Sequence, residues 1–215
     1  MDNAEIKVKK GTTTVGLVCR DGIVVAAEKR ATIGSFIADK KAEKIVAISD
    51  KMILTTAGTV SDAQLLVKLV RAELKLKQVR TGRESTVKET ANLLGGMIYG
   101  NIRRYSIIPG ITQFLLAGLD SSGTHLYDLF VDGSVMPADD YVSSGSGSIV
   151  VYGILEAMYR KDMTVKEGTE LALKAINAAM QRDSASGNGI AIYNITKDGV
   201  RKVFDKDMEA PIIKA

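Results

Sequence analysis

The chain has 215 residues, of which 46% are hydrophobic and 25% are charged, a composition that can bury the core of one ordinary domain and that argues against disorder. Its formal net charge is +4, but aromatic residues make up only 5% and Trp is absent, so nucleic acid is not expected as the main partner. A single Cys excludes an internal disulfide, and no apolar stretch approaches the roughly 20 residues of a membrane span, so we expect a cytoplasmic protein without a membrane partner.

Residues 1–11 form a polar segment that ends at the bond between Gly11 and Thr12. The segment lacks the apolar centre of a secretory signal, so we expect a removable leader. A Gly-Thr bond just before a strand suits an enzyme that is made as a precursor and is cut to expose an N-terminal threonine. The free α-amine of that threonine has an ordinary pKa of about 8 and can accept the proton of its own hydroxyl. The same residues also fit a Thr-rich edge strand, which β propensity alone favours.

The first predicted hairpin joins two apolar, β-branched strands, residues 13–19 and 23–29, through a short turn. A three-residue turn places Glu28 opposite Thr14, on the face that Thr12 shares. A two-residue turn shifts the ladder by one residue and carries Glu28 to the other face. We predict the three-residue turn, because only that one brings a carboxylate toward Thr12.

A second strand pair, residues 43–48 and 52–57, comes before two predicted helices. Capping-box patterns begin at Ser61 and at Thr86, each followed by Gln or Glu three residues later. Apolar residues then recur at helical spacing after both positions. We therefore expect one helix to begin at each of these two residues.

The second half of the chain repeats the order of strands followed by helices. Hairpins kept apart from helix pairs predict an α+β fold, in which two antiparallel sheets pack together and helices cover both outer faces in a four-layer α/β/β/α sandwich. The predicted strands are 112–118, 124–130, one near Val135 and 141–143. They are followed by a helix that begins after Gly145 and ends at about 160, a helix over 164–182 with a capping box at Thr164, and a last hairpin of 190–195 with 200–204.

Several polar positions admit more than one interpretation. Lys44 either supplies a positive charge beside the threonine or is a solvated surface charge. Residues 145–148, with the sequence Gly-Ser-Gly-Ser, fit a plain helix cap or an anion cradle, and residues 182–184 fit a simple helix end. His125 and Cys19 are interpreted as structural, because a metal site built from one His and one distant Cys is rare. No metal or cofactor is predicted.

Six motifs, considered together, are more specific than any one of them. The ordered set closely resembles the β subunit of the 20S proteasome of archaeal type, a member of the N-terminal nucleophile (Ntn) hydrolase superfamily, from Gly11 to about Phe204. The motifs are Thr12-Thr13-Thr14-Val15-Gly16, Ala27-Glu28-Lys29-Arg30-Ala31-Thr32, Lys44, Thr56-Ala57-Gly58, Gly145-Ser146-Gly147-Ser148 and Arg182-Asp183-Ser184-Ala185-Ser186-Gly187.

The resemblance implies a role for each matching residue. Thr12 is similar to the family's nucleophile, exposed by cleavage after Gly11, and Glu28 and Lys44 are similar to the ion pair beside it. Many family members carry Asp where this chain carries Glu28. The resemblance further implies that Asp183, Ser186 and Ser146 surround the threonine amine, that the Gly58 N–H binds the oxyanion, that Thr32, Gly58 and Val60 pair with the substrate backbone, and that Ala31, Ala42, Val46 and Thr56 line the specificity pocket.

The activity implied by the resemblance is that of a threonine endopeptidase for protein degradation. Residues 1–11 would be an autocatalytically removed propeptide that keeps the enzyme as a zymogen, and residues 12–215 a single Ntn-hydrolase domain. Implied partners are homologous β subunits in a seven-membered ring, rings of a related α subunit, an ATPase regulator acting through those α rings, and polypeptide substrates. The alternatives are a catalytically silent ring subunit or assembly precursor, and a bacterial-type two-ring threonine peptidase.

Overall fold

The computed structural model describes residues 11–208, so most of the expected leader lies outside the described residues. In that range the chain forms thirteen strands and four helices. The strands are β1 (Thr13–Cys19), β2 (Gly22–Glu28), β3 (Ala31–Ile33), β4 (Phe36–Asp39), β5 (Ile45–Ser49), β6 (Met52–Thr55), β7 (Ala57–Gly58), β8 (Thr112–Asp120), β9 (Gly123–Leu129), β10 (Val135–Pro137), β11 (Tyr141–Gly145), β12 (Gly189–Thr196) and β13 (Gly199–Asp207). The helices are α1 (Val60–Thr81), α2 (Val87–Ile102), α3 (Ser148–Met158) and α4 (Val165–Arg182).

Two antiparallel sheets form the centre of the molecule. The first sheet has the order β11-β1-β2-β12-β13, and the second has the order β10-β9-β8-β6-β5, with β7 paired to β8. Helices α3 and α4 pack on the outer face of the first sheet, and α1 and α2 pack on the outer face of the second. The four-layer α/β/β/α sandwich is therefore confirmed.

Strand β2 shows why the layers form. Successive side chains of a strand point to opposite faces. Val24 and Ala26 pack against α4 and its neighbours, whereas Val25 and Ala27 pack between the two sheets. Because both faces are covered, the strand is apolar at every position from Gly22 to Ala27 and has no polar face.

The first residues of the helices can be compared with the capping boxes predicted from the sequence. Both capping boxes that begin at Thr86 and Thr164 are present, with the hydroxyl and the glutamate side chain satisfying backbone N–H groups. The box expected at Ser61 is wrong, because α1 begins one residue earlier, at Val60, after the N-cap Thr59. Ser61 thus lies inside the first turn, where its hydroxyl donates to the Asp62 carboxylate instead. Within the described part of the chain, none of the helices is both long enough and apolar enough to cross a membrane.

The register of the first hairpin differs from the prediction. Cys19 lies opposite Gly22 and Thr14 opposite Ala27, so the turn consists of residues 20 and 21 only. Gly22 is the first residue of β2, and a Cβ there would lie 2.2 Å from the carbonyl oxygen of Ile195 on the neighbouring strand. This close packing of β2 on β12 draws Gly22 into the sheet, so the three-residue turn is wrong and Glu28 does not face Thr14.

A short hairpin that the sequence did not predict follows β2. Strands β3 and β4 pair with each other and stand apart from both large sheets. They are only three and four residues long, and most of their residues are exposed. Such short, solvated strands carry little hydrophobic periodicity, which is the signal that sequence reading depends on.

Candidate active site

Thr12 lies immediately before β1 and is 7% exposed. Its Oγ1 donates a hydrogen bond of 2.6 Å to the carbonyl oxygen of Gly11, the residue before it. The Nζ of Lys44 lies 3.1 Å from Thr12 Oγ1 and 3.5 Å from the same carbonyl oxygen. A hydroxyl, the peptide carbonyl that precedes it and a buried ammonium group therefore meet at one point.

Glu28, the last residue of β2, holds that ammonium group in place. Its side chain is completely buried, and Oε1 accepts from Lys44 Nζ and, at 3.1 Å, from the backbone N–H of Thr13. Oε2 accepts from the backbone N–H groups of Arg30, at 2.6 Å, and Gly187, at 3.0 Å. The observed pairing of β1 with β2 places Thr13 opposite Glu28, and this pairing allows the Glu28 carboxylate to accept from the backbone of β1. Four donors satisfy both oxygens of a carboxylate that has no access to water.

Lys44 directly precedes β5 and is 7% exposed, so its interpretation as a solvated surface charge is wrong. Burial lowers the pKa of its ammonium group, and the opposite charge of Glu28 counteracts part of that change. A lowered pKa makes a lysine ammonium group a better proton donor to a neighbouring oxygen. The arrangement suits a group that stabilises a developing alkoxide and can exchange protons with it.

Ser146, Asp183 and Ser186 form a second cluster, next to the backbone nitrogen of Thr12. Ser146 Oγ accepts from Thr12 N at 3.3 Å and donates to Asp183 Oδ2 at 2.5 Å. Ser186 Oγ donates to the same oxygen at 2.7 Å and bonds to Thr13 Oγ1, also at 2.7 Å. Asp183 is the residue that ends α4, so the helix end fixes a carboxylate that orients both serines.

The glycines around Ser146 bring its loop against Thr12. Gly145 has φ +94°, and a Cβ there would lie 2.0 Å from the carbonyl oxygen of Thr12. Helix α3 begins at Ser148, and its N-cap, Gly147, makes no side-chain capping bond. Ser146 bonds to Thr12 and Asp183, so the plain-cap interpretation of this segment does not account for its contacts.

The residues expected to hold a substrate backbone lie on three separate elements. Gly58, at the end of β7, has φ +104°, and a Cβ there would lie 2.1 Å from the carbonyl oxygen of Ile111. Thr32 is the middle residue of β3, and its buried Oγ1 has no hydrogen-bond partner among residues 11–208. Val60 begins α1 and is 60% exposed. Gly58 and Ser146 line one open cleft of about 710 Å³.

The four residues expected around the specificity pocket are all half-buried and uncharged. Ala42 lines a cavity of about 180 Å³ together with Glu28 and Lys44. The backbone N–H of Thr56 donates to the carbonyl oxygen of Lys44 at 2.9 Å, so it lies beside the same residue. Ala31 begins β3, and Val46 packs toward the core beneath α1 and α2.

The sequence analysis assigned no role to two residues that complete the site, Thr13 and Arg30. Thr13 contributes its backbone N–H to Glu28 and its hydroxyl to Ser186. Arg30 reaches across to the loop after α4, with Nε 2.7 Å from Asn188 Oδ1 and Nη1 2.8 Å from the Ser184 carbonyl oxygen. The available signals were the run of three threonines and the charged triplet Glu28-Lys29-Arg30, which begins with the last residue of a buried strand.

Comparison with known proteins shows which family the chain is similar to. The family model described as "Proteasome subunit" matches residues 8–195. A protein named "Proteasome subunit beta" from Ferroglobus placidus is 46% identical over 208 residues, which cover 97% of each chain. Proteins of the same name from Archaeoglobus fulgidus and Methanococcus maripaludis are 43% and 45% identical, and the aligned segments cover 100% and 93% of this chain and 99% and 90% of theirs.

Proposed function

Because the chain belongs to the proteasome subunit family, we propose that it is an active threonine endopeptidase β subunit that cuts itself before it cuts other proteins. Residues 1–11 are the propeptide in this proposal, and residues 12–215 are a single Ntn-hydrolase domain. The observation that carries the proposal is the geometry around the Gly11–Thr12 bond. There Thr12 Oγ1 contacts the Gly11 carbonyl oxygen at 2.6 Å and Lys44 Nζ at 3.1 Å.

Self-cleavage begins when Thr12 Oγ1 bonds to the carbonyl carbon of Gly11. Lys44 stabilises the negative charge that develops on oxygen, and the peptide bond between the Gly11 carbonyl carbon and the Thr12 nitrogen then breaks. The nitrogen gains the proton that the hydroxyl gives up, and water hydrolyses the resulting ester. The product is a Thr12 with a free α-amine. Only a glycine fits at position 11 without a rearrangement, because a Cβ there would lie 1.7 Å from the Cβ of Ala185.

Substrate cleavage then uses the same hydroxyl with the new amine as its base. Ser146, held by Asp183, lies next to the Thr12 nitrogen and orients the amine. Thr12 Oγ1 bonds to the substrate carbonyl carbon, and the Gly58 N–H stabilises the oxyanion. The amine passes its proton to the leaving nitrogen as the scissile bond breaks, and water then hydrolyses the threonyl ester. Thr32 and Val60 pair with an extended substrate backbone, in the manner of an added strand.

The pocket for the residue before the cut is formed by Ala31, Ala42, Val46 and Thr56 in this proposal. Because none of these side chains is charged, we expect cleavage after large apolar residues. The subunit works inside stacked rings, with copies of itself in a seven-membered ring and rings of an α subunit outside it. An ATPase regulator acting through those α rings and a cytoplasmic location remain predictions of the same proposal.

The experiment measures the intact mass of the chain after assembly with its α subunit. It compares the wild type with Thr12→Ala and Thr12→Ser. We expect the wild type to lose residues 1–11 and to hydrolyse peptides, and Thr12→Ala to do neither. Thr12→Ser keeps a hydroxyl at the same position, so it should still lose the leader. This matched pair separates loss of the nucleophile from a disturbance of the fold.

Retention of the leader by all three chains, with no peptidase activity in the assembled wild type, would contradict the proposal. That result would instead favour a ring subunit with a structural role. A second contradiction would be a leader that is lost from Thr12→Ala as well, because cleavage would then come from another enzyme.

A further inference from the structure

The cleft that contains Gly58 and Ser146 extends well beyond the residues that perform the proposed chemistry. It measures about 710 Å³, and its outer walls include Ile111 and Phe130. Asp128 also lines it, although none of the proposed catalytic steps uses this residue.

The position of Ser146 tells which part of a substrate this cleft holds. Ser146 lies 3.3 Å from the Thr12 nitrogen, which becomes the amine that protonates the leaving group. The leaving nitrogen must lie close to the group that protonates it. The substrate chain after the scissile bond therefore extends on the Ser146 side of Thr12. The expected specificity pocket lies on the Lys44 side, where Ala42 shares a cavity with Lys44. We call the larger opening the leaving-side cleft.

Asp128 is a buried acid within the leaving-side cleft. It lies on β9, is 5% exposed, and accepts a hydrogen bond of 3.0 Å from Gln113 Nε2 at Oδ1. An amide donor is neutral, so it does not balance the charge of the carboxylate. Within residues 11–208, no lysine or arginine forms an ion pair with it. Burial raises the pKa of Asp128, and Gln113 opposes that change only in part. A buried carboxylate whose charge no cation balances is stabilised by an incoming cation.

We propose that the leaving-side cleft binds the first residues after the scissile bond and that Asp128 makes it prefer lysine or arginine there. The apolar walls formed by Ile111 and Phe130 suit the methylene stem of such a side chain, and the ammonium or guanidinium group reaches the carboxylate. Specificity on this side of the bond is independent of the apolar pocket proposed for the residue before it. The inference rests on the proposed peptidase function.

The experiment uses assembled particles and internally quenched peptides that differ in one position. A common sequence carries either lysine or its neutral analogue norleucine at each of the first three positions after the bond. For the wild type we expect lysine to raise kcat/KM about tenfold over norleucine at one of these positions, in the range of a charge-assisted contact. Asp128→Asn should bring that ratio to about one, and Asp128→Glu should retain much of the preference.

The matched control is Asp132→Asn, which changes an exposed aspartate in the turn that follows β9. It removes the same charge from the same region, and the lysine preference should be unchanged in it. The comparison of lysine with norleucine in the wild type needs no variant, so the inference stays testable if Asp128→Asn fails to assemble.

Two results would overturn the inference. One is an active wild type that shows no lysine preference at any of the three positions, as expected if a neighbouring ring subunit covers the cleft. The other is a preference that persists in Asp128→Asn. A wild type that also fails to hydrolyse a simple fluorogenic peptide with no residue after the bond would contradict the proposed function itself.

Discussion

The Glu28–Lys44 pair at the end of the first sheet and the Glu89–Lys77 pair at the start of α2 use the same chemical groups in opposite surroundings. The side chains of the first pair are 0% and 6% exposed, and those of the second are 36% and 33% exposed. Glu28 is held by three backbone N–H groups besides its lysine. Glu89 caps its own helix and also pairs with Arg83 at 2.6 Å.

This difference teaches what each pair can contribute. Burying a charge costs several kcal/mol, and the cost is recovered only when partners satisfy the whole group. The backbone donors of three segments do so for Glu28, and Lys44 is thereby kept in the interior beside Thr12. An exposed pair loses little solvation and stabilises the protein by roughly 0–1 kcal/mol. The buried pair therefore creates a reactive environment, whereas the exposed pair supports only a helix end.

The largest expected effect separates the two lysines by activity. Lys44→Met removes the cation 3.1 Å from Thr12 Oγ1, so we expect peptide hydrolysis and leader removal to fall by about 10³-fold or more. Lys77→Met removes an exposed cation on α1 that pairs with Glu89, and it should leave both rates unchanged. The measurements are kcat/KM on a fluorogenic peptide and the intact mass of the assembled chain. Comparable losses in both variants would mean that burial is not what distinguishes the two sites.

The second largest expected effect is a difference in the free energy of unfolding between variants of the two glutamates. Glu28→Ala leaves a buried lysine unpaired and three backbone N–H groups without an acceptor, so the free energy of unfolding should fall by about 3–5 kcal/mol. Glu89→Ala removes half of a capping box and two exposed ion pairs, which should cost about 1 kcal/mol. Equilibrium urea denaturation of the unassembled chain measures both values. Equal losses would refute the contrast.

Much of the fold can be read from the sequence because local and hydrophobic patterns agree. The apolar run in β2 requires cover on both faces, which predicts two helix layers around two sheets. The capping boxes at Thr86 and Thr164 are local, so their helix starts are predictable. For the site, the resemblance singles out Thr12 and Lys44, and the structure places them in contact.

The remaining features depend on contacts between distant segments. The turn before Gly22 is shortened by the approach of β2 to Ile195, which no local pattern reveals. The burial of Asp128 depends on where β8 brings Gln113 and on the walls of the leaving-side cleft. In the sequence Asp128 shares its strand with two other polar residues, Thr124 and His125, and no local pattern distinguishes it from them. The length of this turn and the burial of Asp128 both follow from the packing of distant segments, so hydrophobic periodicity cannot predict them.

The smallest expected effect is a pH dependence that belongs to the exposed pair. Hydrogen bonds from Arg83, and then from Lys77, hold the pKa of Glu89 well below its ordinary value. A carboxyl whose pKa is lowered in the folded state stabilises the protein above its unfolded pKa of about 4.3 and loses that contribution as the pH falls toward the folded value. Glu89→Gln keeps a capping side chain but removes the charge, so it should be less stable than the wild type by about 0.5 kcal/mol at pH 7. That gap should close steadily between about pH 5 and pH 2 and should shrink in high salt.

The control for this effect is Glu73→Gln, on an exposed part of α1, since the ion pairs within residues 11–208 do not include Glu73 and Lys77 pairs with Glu89 instead. It removes the same charge without removing an ion pair, so the loss of stability at pH 7 that we expect for Glu89→Gln should be absent from it. A gap for Glu89→Gln that stays constant from pH 7 to pH 2 would mean that Glu89 acts through its hydrogen bonds to the helix start alone. In that case the contrast with the buried pair would rest on capping, and the exposed charges of Arg83 and Lys77 would contribute nothing to it.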